Sequence, residues 1–248
     1  MILNDRTILL TGGSNGIGRA LAVRFAELGN TVIACGRDEA RLAEVSALSP
    51  RIHSRQCDLA DAAQRVELAE WVVKEHPDLD VVFNNAAVQY RFDVTQPIDL
   101  VKAQQQLEIN LLAPLHLASL LVDHLATRPK PAIVNTTSAL AFTPLVEIGV
   151  YSATKAALHS LSISMRYQLR DRGIDVIEVM PPKVDTTIGA ELRDDPDSTQ
   201  GGMPVPELVR QAVAGLTSDE QEILIGLAVQ AKADPEAIFH RLNNENSH

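Results

Sequence analysis

The chain has 248 residues, 46% of them hydrophobic and 22% charged, with a net charge of −10. Such a chain can bury one sizeable α/β core, and its composition excludes disorder as the main state. The acidic balance, with no basic cluster longer than Arg128-Pro129-Lys130, argues against a nucleic-acid partner, and no apolar run reaches the ~18 residues of a membrane span.

In chain order, 6–11 is a β-rich run punctuated at once by the glycines of 12–18. Ile17, Leu21, Phe25 and Leu28 then repeat at helical spacing. Strands are expected at 31–35, 51–57 and 79–83, with helices at 39–48 and 62–75 between them. A long helix covers 99–126, bent or interrupted at Pro114. A strand at 132–134 leads to Ser138, a helix runs from Tyr151 to about 172, and a strand at 175–179 stops at Pro181-Pro182. Residues 186–202 are polar and aperiodic, a mobile loop, and 207–216, 222–225 and 235–242 read as helix, strand and helix. The alternation is that of βαβ units on a parallel sheet: seven strands in one domain, without repeat or linker. The N-terminus reaches Asn4-Asp5-Arg6 without an apolar leader, and Cys35 and Cys57 lie in apolar runs with no metal-ligand spacing. Two reduced core thiols in a cytoplasmic protein are expected.

Tyr151 and Lys155 stand four residues apart, one turn of a helix. A unit positive charge about 4 Å from a phenol, at an effective dielectric of about 20, is worth about 4 kcal/mol, roughly three pKa units toward the phenolate. Desolvation takes some of that back. Ser138, just past its strand, is placed to hold a substrate oxygen beside Tyr151. The bland alternative is a helix face with a buried tyrosine and a snorkelling lysine.

The segment from Thr11 to Gly18, Thr-Gly-Gly-Ser-Asn-Gly-Ile-Gly, closes the first strand and opens the first helix, where a dinucleotide pyrophosphate sits on free N–H groups. The spacing of Gly12, Gly16 and Gly18 is longer than the usual G-x-G-x-x-G. At the end of the second strand a carboxylate selects NAD and an arginine suits a 2′-phosphate. Arg37 occupies that place, so NADPH is favoured and NAD is the alternative; Asp38 either caps the next helix or reaches the ribose.

Together these motifs resemble the short-chain dehydrogenase/reductase family in its compact form, over nearly the whole chain. Thr11 to Gly18, including Ser14, Asn15 and Ile17, is similar to its TGxxxGxG, and Asp58-Leu59 to its adenine-contacting pair. Asn84-Asn85-Ala86-Ala87 is similar to its NNAG segment, and 181–186 to its PGxVxT loop. Asn110, Ser138, Tyr151 and Lys155 match its catalytic residues. The string from Ala153 to Ser160 is also similar to the oxidoreductases associated with D-alanyl-lipoteichoic acid operons. The resemblance implies a doubly wound Rossmann sheet of order 3-2-1-4-5-6-7 and hydride transfer between a nicotinamide and a carbonyl or alcohol carbon. It implies cofactor contacts from Asn85, Ala86, Pro181, Val184 and Thr186 besides Tyr151 and Lys155, a proton-relay water held by Asn110, and a homodimer or homotetramer through the helix at 104–121. Two departures stand out: Ala87 replaces a glycine, costly if φ is positive there, and Pro182 replaces another under the nicotinamide.

The flanking residues Leu140, Leu145, Val146, Pro182, Ile188 and Leu192 suggest a pocket for a medium-sized, largely apolar ketone or aldehyde, covered by a lid at about 186–206. The aspartates 194, 195 and 197 read as the solvated edge of that lid. His159, Arg91 and Trp71 read as a packed histidine, a solvated arginine and a core or interface anchor. Rival readings are a cofactor sensor without catalysis, an NAD-dependent alcohol dehydrogenase, and an epimerase or dehydratase of the family's extended branch.

Overall fold

Strand β1 (Thr7–Thr11) carries Ile8 and Leu10 to one face of the sheet and Leu9 to the other, and all three are fully buried. A strand alternates its side chains, so a run apolar at every position needs cover on both faces. The computed structural model supplies it, describing residue 1, residues 3–189 and residues 201–244. Strands β2 (Thr31–Gly36), β3 (Ile52–Gln56), β4 (Val81–Asn84), β5 (Ala132–Thr136), β6 (Asp175–Met180) and β7 (Glu222–Leu224) complete a parallel sheet of order 3-2-1-4-5-6-7. Register is set by pairs such as Leu9 with Ile33 and with Val82.

One face packs on α1 (Gly16–Glu27), α2 (Glu39–Ser46) and α7 (Val205–Leu216), around Leu10, Phe25, Phe83 and Leu208. The other packs on α3 (Ala62–Glu75), α5 (Ala113–Leu125) and α6 (Gly149–Leu169), around Leu9, Val82, Leu121 and Met165. The strand order reverses between β1 and β4, and outside the carboxyl ends of those strands a crevice opens, the usual ligand position in such sheets.

The expected helix at 99–126 is two helices, α4 (Leu100–Leu107) and α5, joined by a π-helical turn at Glu108–Leu112. Pro114 explains the break. In an α-helix its N–H would serve the carbonyl of Asn110, and proline has none. The backbone widens instead, so the N–H of Ala113 reaches the carbonyl of Glu108, five residues back. Pro114 then falls in the first turn of α5, where no donor is needed.

Elsewhere the boundaries move by one to three residues. The Tyr151 helix begins earlier, at Gly149, and closes in a 3₁₀ turn, Arg170–Arg172. Two further 3₁₀ turns, Ala139–Ala141 and Val146–Ile148, flank the segment before Tyr151. Helix α8 (Leu227–Ala233) precedes α9 (Pro235–Asn244), and neither the turns nor α8 is visible as a sequence period.

Candidate active site

The glycine loop is shaped by its backbone. Gly12 and Gly16 have φ of +67° and +52°, a region that side chains disfavour. Gly18 packs so closely that an added Cβ would stand 2.0 Å from the carbonyl oxygen of Gly12. Asn15 caps α1, its side-chain oxygen accepting from the N–H of Gly16 at 2.8 Å. Its amide donates to Thr187 Oγ1 at 2.6 Å, tying the start of the expected lid to the loop. The Thr11 hydroxyl accepts the N–H groups of Asn85 and Ala86 at 2.9 and 3.0 Å, holding the end of β4 against β1.

Between these segments lies a cleft of about 420 Å³. Gly12, Ser14, Asn15, Gly16, Ile17 and Gly18 form its floor, Arg37, Asp58 and Leu59 one end, and Asn85 and Ala86 its flank. Thr186 and Ile188, at the start of the expected lid, line the cleft too. Asp38 is occupied elsewhere: its carboxylate accepts from the N–H of Arg41 at 3.0 Å as the cap of α2 and pairs with the Arg41 guanidinium at 3.2 Å. Arg41 itself lines the cleft beside Arg37. The sequence reading missed it, although its spacing of four from Arg37, in the first turn of α2, was available as a signal.

Asn110 is fully buried and its side chain is committed. Its oxygen accepts from the N–H of Val88 at 2.9 Å, and its amide donates to Val88 O at 2.9 Å and Thr154 Oγ1 at 3.1 Å. It thereby pins the irregular segment that follows Ala87 to α6, at Thr154, one residue before Lys155. The feared strain at Ala87 does not arise, since Asp5 and Lys130 alone among the described non-glycine residues have positive φ.

Ser138 is buried, in extended backbone past β5. Its Oγ accepts from the N–H of Leu140 at 3.1 Å, which caps the turn Ala139–Ala141. Lys155, 2% exposed, donates to the carbonyl of Thr136 at 2.8 Å, and its Nζ stands 5.6 Å from the centre of the Tyr151 ring. Tyrosine and lysine are thus brought to the carboxyl end of β5, two residues from Ser138. Their titration differs from the sequence expectation. Burial pushes the Tyr151 phenol up rather than down, and pushes the Lys155 amine down to about 7. The enclosure that strengthens their attraction also penalises the charged form of each, and here the penalty dominates.

Around this centre Leu140 and Leu145 are half-buried and Val146 is exposed. Val146 N–H donates to Asn243 Oδ1 at 2.9 Å, and Asn243 Nδ2 donates to Pro144 O at 3.1 Å, so the last turn of α9 clamps this loop. Pro181 accepts from the N–H of Ala139 at 3.0 Å, Pro182 packs beside Gly226, and Val184 bridges to Met203. None of these, nor Ser138, Tyr151 or Lys155, walls the glycine-loop cleft; Ser138 follows β5, the strand paired with β4, whose following residues Asn85 and Ala86 do line it. Leu192 and the aspartates 194, 195 and 197 lie outside the described residues. His159 is packed as expected, its Nδ1 2.9 Å from buried Glu178 and its ring edge-on to Phe142. Arg91 pairs with Glu147 at 3.1 Å, and half-buried Trp71 lies under Arg55.

The model of the family described as short chain dehydrogenase matches residues 6–197. The uncharacterized oxidoreductase DltE of Bacillus subtilis (strain 168) is 45% identical over 250 residues, 99% of each chain. A short-chain dehydrogenase from Sphingobium yanoikuyae solved with NADPH superposes with a TM-score of 0.81 at 28% identity, over 98% of this chain and 96% of that one. One from Burkholderia cenocepacia J2315 solved with NADP gives 0.83 at 25%, over 98% and 99%. Matched in sequence beyond the glycine loop and in structure along nearly its full length, this chain belongs to the short-chain dehydrogenases, a family of oxidoreductases.

Proposed function

We propose that the protein is an NADPH-dependent reductase of a medium-sized, largely apolar ketone or aldehyde. The carrying observation is that Lys155 and Tyr151 meet at the end of β5 near Ser138, while the cleft reached from the end of the paired strand β4 is lined by two guanidinium groups. The chain's residues fit a dinucleotide. N–H groups at the start of α1 suit its pyrophosphate, Asp58 and Leu59 bound the adenine end, and Arg37 with Arg41 suits a 2′-phosphate. The related structures with NADPH and NADP support the same cofactor class.

When bound, the nicotinamide supplies the hydride that reaches the carbonyl carbon. The Tyr151 phenol, kept protonated by burial, gives its proton to the substrate oxygen as the alkoxide develops. Ser138 donates its hydroxyl hydrogen to the same oxygen, its own acceptor role being filled by Leu140. Lys155, titrating at about 7, restores the proton to Tyr151 near neutral pH. The Asn110 side chain is spent on Val88 and Thr154, so its part in a proton relay falls to its main-chain carbonyl, which Pro114 cannot serve. Leu140, Leu145, Val146, Pro182 and Ile188 face the substrate, and Pro181, Val184 and Thr186 complete the nicotinamide side. The domain acts as one unit with its lid at about 186–206.

The test is a spectrophotometric panel of ketones and aldehydes with NADPH and NADH in parallel. NADPH oxidation with at least one apolar carbonyl is expected, and no turnover across the panel would sink the reading. Arg37→Ala should raise the Michaelis constant for NADPH roughly tenfold to hundredfold, the worth of a charge-assisted hydrogen bond, and that for NADH little. Equal effects on the two would refute the phosphate assignment.

The protein also acts as a homodimer or homotetramer. Leu107, Leu112 and Leu115 on the α4–α5 pair stay exposed, as do Ile163 and Tyr167 on α6, an apolar surface that a lone chain leaves in water. Leu112→Glu with Leu115→Glu should shift the sedimenting species to monomer; an unchanged species would place the interface elsewhere. No helix of the described residues is long and apolar enough to cross a membrane, and the free, buried thiols of Cys35 and Cys57 suit a reducing cytoplasm.

A further inference from the structure

Behind the cleft, a buried guanidinium bonds one residue of its wall, Leu59, and the neighbour of another, Ile109. Arg65, near the start of α3, is 4% exposed. Its Nη1 donates to the carbonyl of Leu59 at 2.6 Å and to Glu108 Oε2 at 3.1 Å, and its Nε donates to His116 Nδ1 at 3.1 Å. Leu59 belongs to the adenine end of the cleft. Glu108 opens the π-helical turn that carries Ile109, also on the cleft wall, and Asn110, whose side chain fixes Val88. The two walls belong to segments far apart in sequence, with partners 6, 43 and 51 residues from Arg65.

We propose that Arg65 is a positioning residue that couples the adenine wall to the π-helical turn, so that the two ends of a bound dinucleotide are held in fixed relation. The physical ground is the stiffness of the link. A guanidinium presents its donors in one rigid plane, so moving Leu59 relative to Glu108 breaks at least one of these bonds. A buried charge left without its partner is costly, which sets the spacing of the walls more firmly than apolar packing alone. A wide π-helical turn has a less constrained backbone than the helices around it; Asn110 ties it to Val88 and Thr154, and Glu108 ties its first residue to Arg65. The inference rests on the cleft holding a nicotinamide dinucleotide, as proposed above, and its test separates the two claims.

The experiment titrates wild type, Glu108→Ala and Glu108→Gln with NADPH and, separately, with adenosine 2′,5′-bisphosphate, which fills only the adenine end. Failure of the wild type to bind either probe would end the cofactor reading itself. Given wild-type binding, Glu108→Ala cuts the link to the π-helical turn and leaves Leu59 bonded. It should weaken NADPH at least fivefold while the bisphosphate changes less than twofold. Glu108→Gln, which keeps an acceptor oxygen for the guanidinium, should recover most of the NADPH affinity. Equal changes for the two probes in folded Glu108→Ala, or no recovery in Glu108→Gln, would overturn the coupling. Should Glu108→Ala not fold, Arg65→Gln decides: its amide nitrogen, two bonds shorter in reach, falls short of the place from which Nη1 serves both Leu59 and Glu108, so NADPH must again suffer at least fivefold more than the bisphosphate, and equal losses overturn the proposal.

Discussion

Tyr151→Phe should lower turnover roughly 10²–10⁴-fold, the usual worth of a positioned general acid, and leave NADPH affinity nearly unchanged. The substitution removes one oxygen from a half-buried ring whose neighbours are Lys155 and the end of β5. No described hydrogen bond of the fold passes through that oxygen, so stability should change little. Burial raises the phenol above its ordinary value, which keeps it a proton donor across the neutral range and suits it to carbonyl reduction better than to alcohol oxidation. Initial rates on the best substrate of the carbonyl panel, measured beside an NADPH fluorescence titration, check both halves. Near wild-type rates would remove Tyr151 from the chemistry; a parallel loss of NADPH affinity would make it a binding residue instead.

The middle of the sheet was readable because strands such as β1, β2 and β4 are apolar on both faces, so that runs such as Ile8-Leu9-Leu10 stand out between polar punctuation. The glycine loop was readable because few other residues suit the backbone at Gly12 and Gly16 or the contact at Gly18. Asp38 could not be assigned from its neighbours alone; the orientation of the first turn of α2 makes it a cap and brings Arg41 into the cleft. Pro114 announced an interruption, but the backbone yields upstream, at Glu108–Leu112, because the missing donor affects the carbonyl four residues earlier. Contacts that depend on tertiary placement left no local pattern: Asn243 clamps Val146 from 97 residues away, and Arg65 reaches His116 across 51. The same holds for electrostatics. A spacing of four shows that tyrosine and lysine are neighbours, but not how much water surrounds them, and here desolvation reverses the expected shift.

That reversal gives the second large expected effect, a variant that loses function and gains stability. Lys155→Met should abolish detectable turnover, because the group that returns a proton to Tyr151 is gone, and should raise the melting temperature of the cofactor-free protein. In the folded chain the amine titrates at about 7 against an ordinary 10.5. Between those values the unfolded chain binds a proton that the folded chain does not, so wild-type stability climbs with pH across that window. Below about 7 both states are protonated and the penalty of a buried ammonium is complete, on the order of a few kcal/mol. Loss of the bond to the Thr136 carbonyl takes back about 1 kcal/mol. The net gain for methionine is then on the order of 5 °C at neutral or mildly acidic pH. It should shrink as pH rises toward about 10, where the wild-type lysine is neutral in the folded state and the unfolded one has begun to lose its proton too. Melting curves of both proteins at about pH 6.5 and about pH 10 read this difference directly, since the other titrating groups are shared. A methionine variant that melts below wild type at the lower pH would mean that the ammonium is well solvated or paired in the fold, and the proton-return role of Lys155 near neutral pH would fall with it.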